Sequence, residues 1–199
     1  MTGPGRWARE LLAQRLVQPD ARSCGAAALV VARAAVDEAY AELLVRGRHP
    51  GTGLAMSGSP AERFHDETLS MHRRVTGLAD VAGRLQPPWP RALGTPPWSV
   101  ARQLSSRAAP YVVRQAAFRR AHVLDALLPA LDRGRPVALY VGDRWLPRHV
   151  VLALGTDDRG LHCYDPAAGG PRVVDREAFE SGPLPFGRWT RPWFVVRPR

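Results

Sequence analysis

The sequence predicts an α+β protein in which a helical N-terminal half packs on a C-terminal antiparallel sheet. Residues 24–45 read CGAAALVVARAAVDEAYAELLV, without Pro and rich in Ala and Leu, which favours one long helix. In the last third the period changes. PVALYVG, HVVLALG, LHCYD and WFVV are short runs rich in Val, Leu and aromatic residues, each bounded by Gly, Pro or Asp, and they read as strands. Neither an internal repeat nor a clean linker divides the 199 residues, so a single domain over 1–199 is expected.

In the long helical run, Arg33, Asp37, Glu38 and Glu42 lie along one stripe, while the turns before Arg33 are apolar all round. That pattern buries the first two turns and lets the later ones reach solvent. A loop rich in Gly, Arg and Pro follows from Arg46 to Gly58. Ser59, Pro60 and Glu62 then supply an N-cap, a proline at the first helical position and a capping-box partner for a helix running to about Arg74. Five prolines between Pro87 and Pro97 predict a loop, with a short helix from Trp98 to Ser105. Residues Ala121 to Arg133 place apolar positions at helical spacing, and Pro129 is expected to kink or shorten that helix.

Composition narrows the function. With 45% hydrophobic and 23% charged residues, the chain is too apolar and too aromatic for a disordered one. Its net charge of +10 comes from 28 basic residues, all of them Arg. The densest basic spots, Arg73 with Arg74 and Arg119 with Arg120, lack aromatic interleaving or a nucleic-acid motif, so solvated surface is expected there rather than a nucleic-acid site. The longest apolar run, Gly25 to Ala32, stops at Arg33, far short of the roughly 20 residues that span a bilayer. The N-terminus mixes Arg and Glu with apolar residues, unlike a secretory signal. Two cysteines, Cys24 and Cys163, are too few for a disulfide scaffold, and a reducing, cytoplasmic setting is expected.

One cysteine sits where chemistry is favoured. Cys24 opens the long helix, where unpaired N–H groups and the helix dipole stabilise the thiolate, the reactive form. Gly25 beside it has no side chain to obstruct an approaching carbonyl. The Cys24 N–H is a candidate oxyanion donor, and the Gln18 amide, six residues earlier, is a second. A base and an orienting group come from further along the chain. HVVLALG and LHCYD flank Thr156-Asp157-Asp158-Arg159 and are expected to fold as a hairpin centred near residue 157. That register sets His149 opposite Asp165 on one face of the sheet, where the carboxylate orients the imidazole; a one-residue slip would separate them.

These residues carry a resemblance. Gln18, then Cys24-Gly25, a distant His149 opening a strand, and Asp165-Pro166 after the next strand resemble the papain-like cysteine peptidase superfamily. Within it, QPDARSCGAAAL and HVVLALGTDDRGLHCYDPAAG are most similar to the bacterial double-glycine-leader, bacteriocin-processing peptidases and their stand-alone relatives. The resemblance covers roughly residues 15–45 and 120–198; residues 46–120 form an unmatched helical and Pro-rich insertion. It implies a papain-like fold and a peptidase with Cys24 as nucleophile, His149 as general base and acid, Asp165 as the orienting residue and Gln18 as the oxyanion donor. It implies a peptide or protein substrate and no metal or organic cofactor. The same triad also serves deamidation and acyl transfer, and the fold also serves as a non-catalytic peptide-binding module.

Other residues have blander readings. Cys163 shares the face of His149 and Asp165 but sits mid-strand, without a helix dipole, and reads as packing near the site. Glu62, His65, Asp66 and His72 lack the matching second helix that a carboxylate metal site needs, and no CxxC or HxxxH pattern offers a zinc site. Trp89, Trp98, Trp145, Trp189 and Trp193 read as core anchors, with Trp189, just before the last strand, placed to wall a cleft.

Overall fold

The computed structural model describes residues 5–79, 83, 85–87, 89, 94–106 and 109–199. Along the chain it runs α1 (Arg6–Leu12), α2 (Cys24–Val36), α3 (Glu38–Arg46), α4 (Pro60–Val75), α5 (Pro97–Leu104), β1 (Tyr111–Gln115), α6 (Arg120–Asp132), β2 (Val137–Gly142), β3 (Pro147–Asp157), β4 (Gly160–Asp165), β5 (Gly170–Val174), α7 (Arg176–Glu180) and β6 (Arg191–Pro198). The strands form one sheet in the order β1-β6-β2-β3-β4-β5, every neighbouring pair antiparallel. Mixed helix and antiparallel sheet is thus the architecture, as the hydrophobic periods predict.

The sheet has a core on each face. Ala138, Tyr140, Val150, Leu152 and Tyr164 point to α1–α5, whereas Val137, Leu139, Val141, Val151, Ala153 and Cys163 point to α6 and α7. All six residues of β2 are buried, which explains why it reads as a continuous apolar run rather than an alternating one.

The predicted helix over 24–45 is two helices. Asp37 is extended, with φ −127° and ψ 93°, and its carboxylate accepts the Tyr40 N–H, so it caps α3 instead of continuing α2. A short acid at that position offers the backbone a competing hydrogen bond, which the Ala/Leu composition does not register. The first nine residues of α2 are buried, as the apolar turns require. The capping box at the start of α4 forms as expected, Ser59 Oγ accepting the Glu62 N–H and Glu62 accepting the Ser59 N–H. Pro129 neither stops nor shortens α6, which continues to Asp132. Pro129 and Asp125 both face solvent, so water can satisfy the Asp125 carbonyl that the missing N–H leaves free. Strands β1 and β5 and helices α1 and α7 lack a signal in the apolar runs; β1 and β5 are the two outer strands, where burial demands least. Part of the Pro87–Pro97 loop lies outside the described residues.

The hairpin register differs from the symmetric one. Asp157 pairs with Gly160, Thr156 with Leu161 and Gly155 with His162, around a two-residue turn, Asp158-Arg159. The Asp157 carboxylate accepts the Arg159 N–H there. Then Leu154 is skipped, and Ala153 pairs with Cys163 and Leu152 with Tyr164. Continued to its start, this register would set His149 across from Ala167 rather than Asp165. The offset is two residues, so His149 and Asp165 still share a face.

Candidate active site

The turn before α2 is closed by its own side chains. Ser23, fully buried, donates through Oγ to the Asp20 carbonyl and accepts the Asp20 N–H, and the Asp20 carboxylate accepts the Arg22 N–H. This compact turn starts α2 at Cys24, whose N–H, as the first of the helix, has no intrahelical acceptor.

His149 lies near the start of β3, beside the register shift that separates Val141 from Gly142 in the β2–β3 pairing. Its Nε2–H donates to Asp165 Oδ1 at 2.7 Å, and the Cys24 side chain lies close enough to the ring to help raise the His149 pKa. One imidazole therefore has both the carboxylate and the cysteine as neighbours. Trp189 stacks on that ring, centroids 4.4 Å apart and planes 23° from parallel. Cys24, His149 and Asp165 are 5%, 2% and 5% exposed.

Burial disfavours a charged His149, but the bonds to Asp165 and Cys24 and the charges of both outweigh it, and its pKa is pushed up to about 9. Burial also opposes the Asp165 charge, yet the His149 bond and backbone N–H groups, including that of Ala167 at 3.0 Å, hold its pKa below the usual range. Cys163 is the opposite case. Burial, then the Asp165 charge, push its thiol up to about 12. It packs in the core on the α6 face with no part in the bonded set.

Gln18 reaches the site through the backbone. Its N–H donates to the Pro166 carbonyl at 2.9 Å, and Leu16 N–H donates to the Gly169 carbonyl at 2.8 Å, tying this segment to the turn after Asp165. Gly169 has φ +72°, and a Cβ there would meet Val17 Cγ2 at 2.5 Å, so only glycine permits the approach. The Gln18 amide donates to the Asp20 carbonyl at 2.6 Å. Its described hydrogen bonds thus hold the turn rather than touch Cys24.

Gly25 has a different neighbour from the one its sequence position indicates. A Cβ on it would lie 2.6 Å from Thr95 Cβ and 2.8 Å from Thr95 Oγ1. Thr95, from the protein's own chain, packs over the helix start. Tyr140, kept as the neutral phenol by burial and the Cys24 charge, donates to the Thr95 carbonyl at 2.8 Å and pins that contact. Sequence reasoning missed Thr95, because only the packing of an unmatched segment places it there. Gly25→Ala is expected to destabilise the protein by about 1–3 kcal/mol through this overlap. Urea unfolding of Gly25→Ala, Thr95→Gly and the double variant checks it. A strongly favourable coupling between the two is expected, and strict additivity would remove the packing argument.

Of the tryptophans, Trp145 departs from the expected core role and is 68% exposed. His65 Nε2 contacts the Val17 carbonyl at 3.1 Å, and no group of three or more His, Cys, Asp or Glu suited to a metal occurs among the described residues. No described helix is long and apolar enough to cross a membrane.

Neither a family model nor a curated protein matches this chain. Among solved structures, it is similar to the peptidase domain of Streptococcus ComA, a bifunctional ABC transporter involved in a quorum-sensing pathway. The two are 16% identical, covering 92% of this chain and 97% of that one, with a TM-score of 0.44.

Proposed function

We propose that this protein is a cysteine-dependent amide hydrolase of the papain-like kind, acting on a peptide or protein. The observation that carries the reading is the His149 ring, bonded to Asp165, with Cys24 as a neighbour and Trp189 stacked on it. Those are the parts that thiol catalysis needs: a nucleophile at a helix start, a base in contact with it and a group orienting the base. The Cys24 sulfur attacks the amide carbon, and the tetrahedral oxyanion is held by the Cys24 N–H and the second amide hydrogen of Gln18. Protonated His149 gives its proton to the leaving amine, the C–N bond breaks, and a thioester remains on Cys24. His149 then takes a proton from water, which attacks the thioester and releases the acid and the thiolate. The sequence resemblance favours the double-glycine-leader branch for the substrate.

The seating of Thr95 over Gly25 favours a second reading, a papain-like module that binds a peptide without cleaving it. A peptide aldehyde or acyl donor offered to the purified chain separates the two. Mass spectrometry should find the adduct on the tryptic peptide holding Cys24. An unmodified Cys24 after prolonged incubation would eliminate the hydrolase reading.

A further inference from the structure

The segment that carries Trp189 continues into a concave feature. A cleft of about 410 Å³ opens between the start of α6 and the start of β6, with Phe118, Arg120, Arg144, Arg191 and Trp193 among its walls. That size suits a small ligand group. Three arginines line it and, among the described residues, no carboxylate does. Asp143, next to it in the chain, turns its carboxylate to the Trp145 and Leu146 N–H groups and to Arg148 at 3.5 Å. Arg144 rests on the Trp145 ring, and among the described residues no acid pairs with Arg120, Arg144 or Arg191.

Arg120 is not the solvated surface residue that its sequence context indicates. Its Nη2 donates to the Ala178 and Gly182 carbonyls at 2.7 and 2.8 Å, while its Nε is buried without a hydrogen-bond partner. Burial, then the charge of Arg191, lower its pKa, which puts the two guanidiniums near one another. Helix α6 begins at this same point with no side-chain cap and no acid in its first turn, so its free N–H groups add positive potential. Phe118, 84% exposed, offers an apolar platform at the rim.

The cleft lies within reach of the candidate site. Val141 pairs with Pro192 on one side and with His149 on the other. The cleft wall is therefore two strands from His149, roughly 10 Å at ordinary strand spacing, a distance that three extended residues cover. Trp189, stacked on His149, precedes Arg191 by two residues.

We infer that this cleft is a subsite that receives a carboxylate of a bound peptide, so that the protein selects acidic peptides, with an apolar residue beside the acid lying on Phe118. The inference rests on the proposed reading of the Cys24 site for its peptide ligand. Planar guanidinium forks match a carboxylate bidentately. A nucleic-acid strand would need a basic groove tracking several phosphates, whereas these arginines converge on one cleft.

The test is fluorescence anisotropy on the full chain carrying Cys24→Ala, so that binding is read without turnover. The probe is a labelled hexapeptide holding two Glu and one Phe, compared with its Gln counterpart. The Glu peptide should bind at least about tenfold tighter. Arg144→Gln with Arg191→Gln, both exposed positions, should cut that preference below about twofold, and Arg172→Gln on the outer strand β5 should leave it intact. Equal binding of the two peptides overturns the subsite, as does a preference that survives the double substitution. Tighter binding of a single-stranded oligonucleotide, lost in the same double variant, overturns it in favour of nucleic acid. A preference that maps to the two arginines supports the subsite whether or not the wild-type chain cleaves the Glu peptide; the hydrolase reading is decided separately by modification of Cys24.

Discussion

Cys24→Ala is expected to lower peptide hydrolysis by more than about 10³-fold with the fold intact, because it removes the proposed nucleophile. Alanine suits a buried helical position, so circular dichroism and thermal melts should change little. Cys163 provides an internal comparison. Both thiols are buried, but Cys24 neighbours the His149 ring, whereas Cys163 is pushed up to about 12 by burial and the Asp165 charge. Iodoacetamide near neutral pH should therefore alkylate Cys24 much faster than Cys163, and His149→Ala should erase most of the difference. Equal, slow labelling of the two, or hydrolysis that survives Cys24→Ala, would sink the assignment of the nucleophile.

Asp165→Ala is expected to lower kcat/KM by roughly 10²- to 10⁴-fold, the range lost when a catalytic imidazole no longer holds its proton and orientation. The carboxylate contributes in two separable ways: its oxygen accepts the Nε2–H bond, and its charge favours the imidazolium. Asp165→Asn keeps an acceptor oxygen but removes the charge, so it should retain far more activity than alanine while changing the pH profile. The sign follows from the direction of the shift. A His149 pKa raised to about 9 keeps the ring protonated below that pH, and the proton needed by the leaving amine is lost as pH rises through it. The alkaline limb of kcat/KM should fall near pH 9 in the wild type and move to lower pH in Asp165→Asn. An unchanged limb would show that the Asp165 charge does not govern the ring.

The placement of the candidate site residues was legible in the sequence where it depends on local rules. Cys24 at a helix start, His149 opening a strand and Asp165 closing the next are each visible from residue type and flanking pattern. Trp189 was visible as a wall, but its stacking on His149 required the loop before β6 to fold back over β3. Thr95 and the arginine cleft were not legible. Each brings together segments separated by tens of residues, Thr95 with Gly25 and Arg120 with Arg144 and Arg191, and no local period encodes such contacts.

The hairpin carrying His149 and Asp165 separates what the chain determines alone from what its tertiary structure decides. Apolar runs and the turn residues around Asp157 and Asp158 determine that two antiparallel strands form there. They do not determine which face each side chain takes. The two-residue turn by itself imposes a register in which His149 and Asp165 point to opposite faces of the sheet. Skipping Leu154 shifts the pairing by one residue and returns them to the same face. That choice belongs to the packed sheet: Val151, Ala153 and Cys163 must meet the α6 core while Leu152 and Tyr164 meet the α2 core, and only the bulged register satisfies both faces at once.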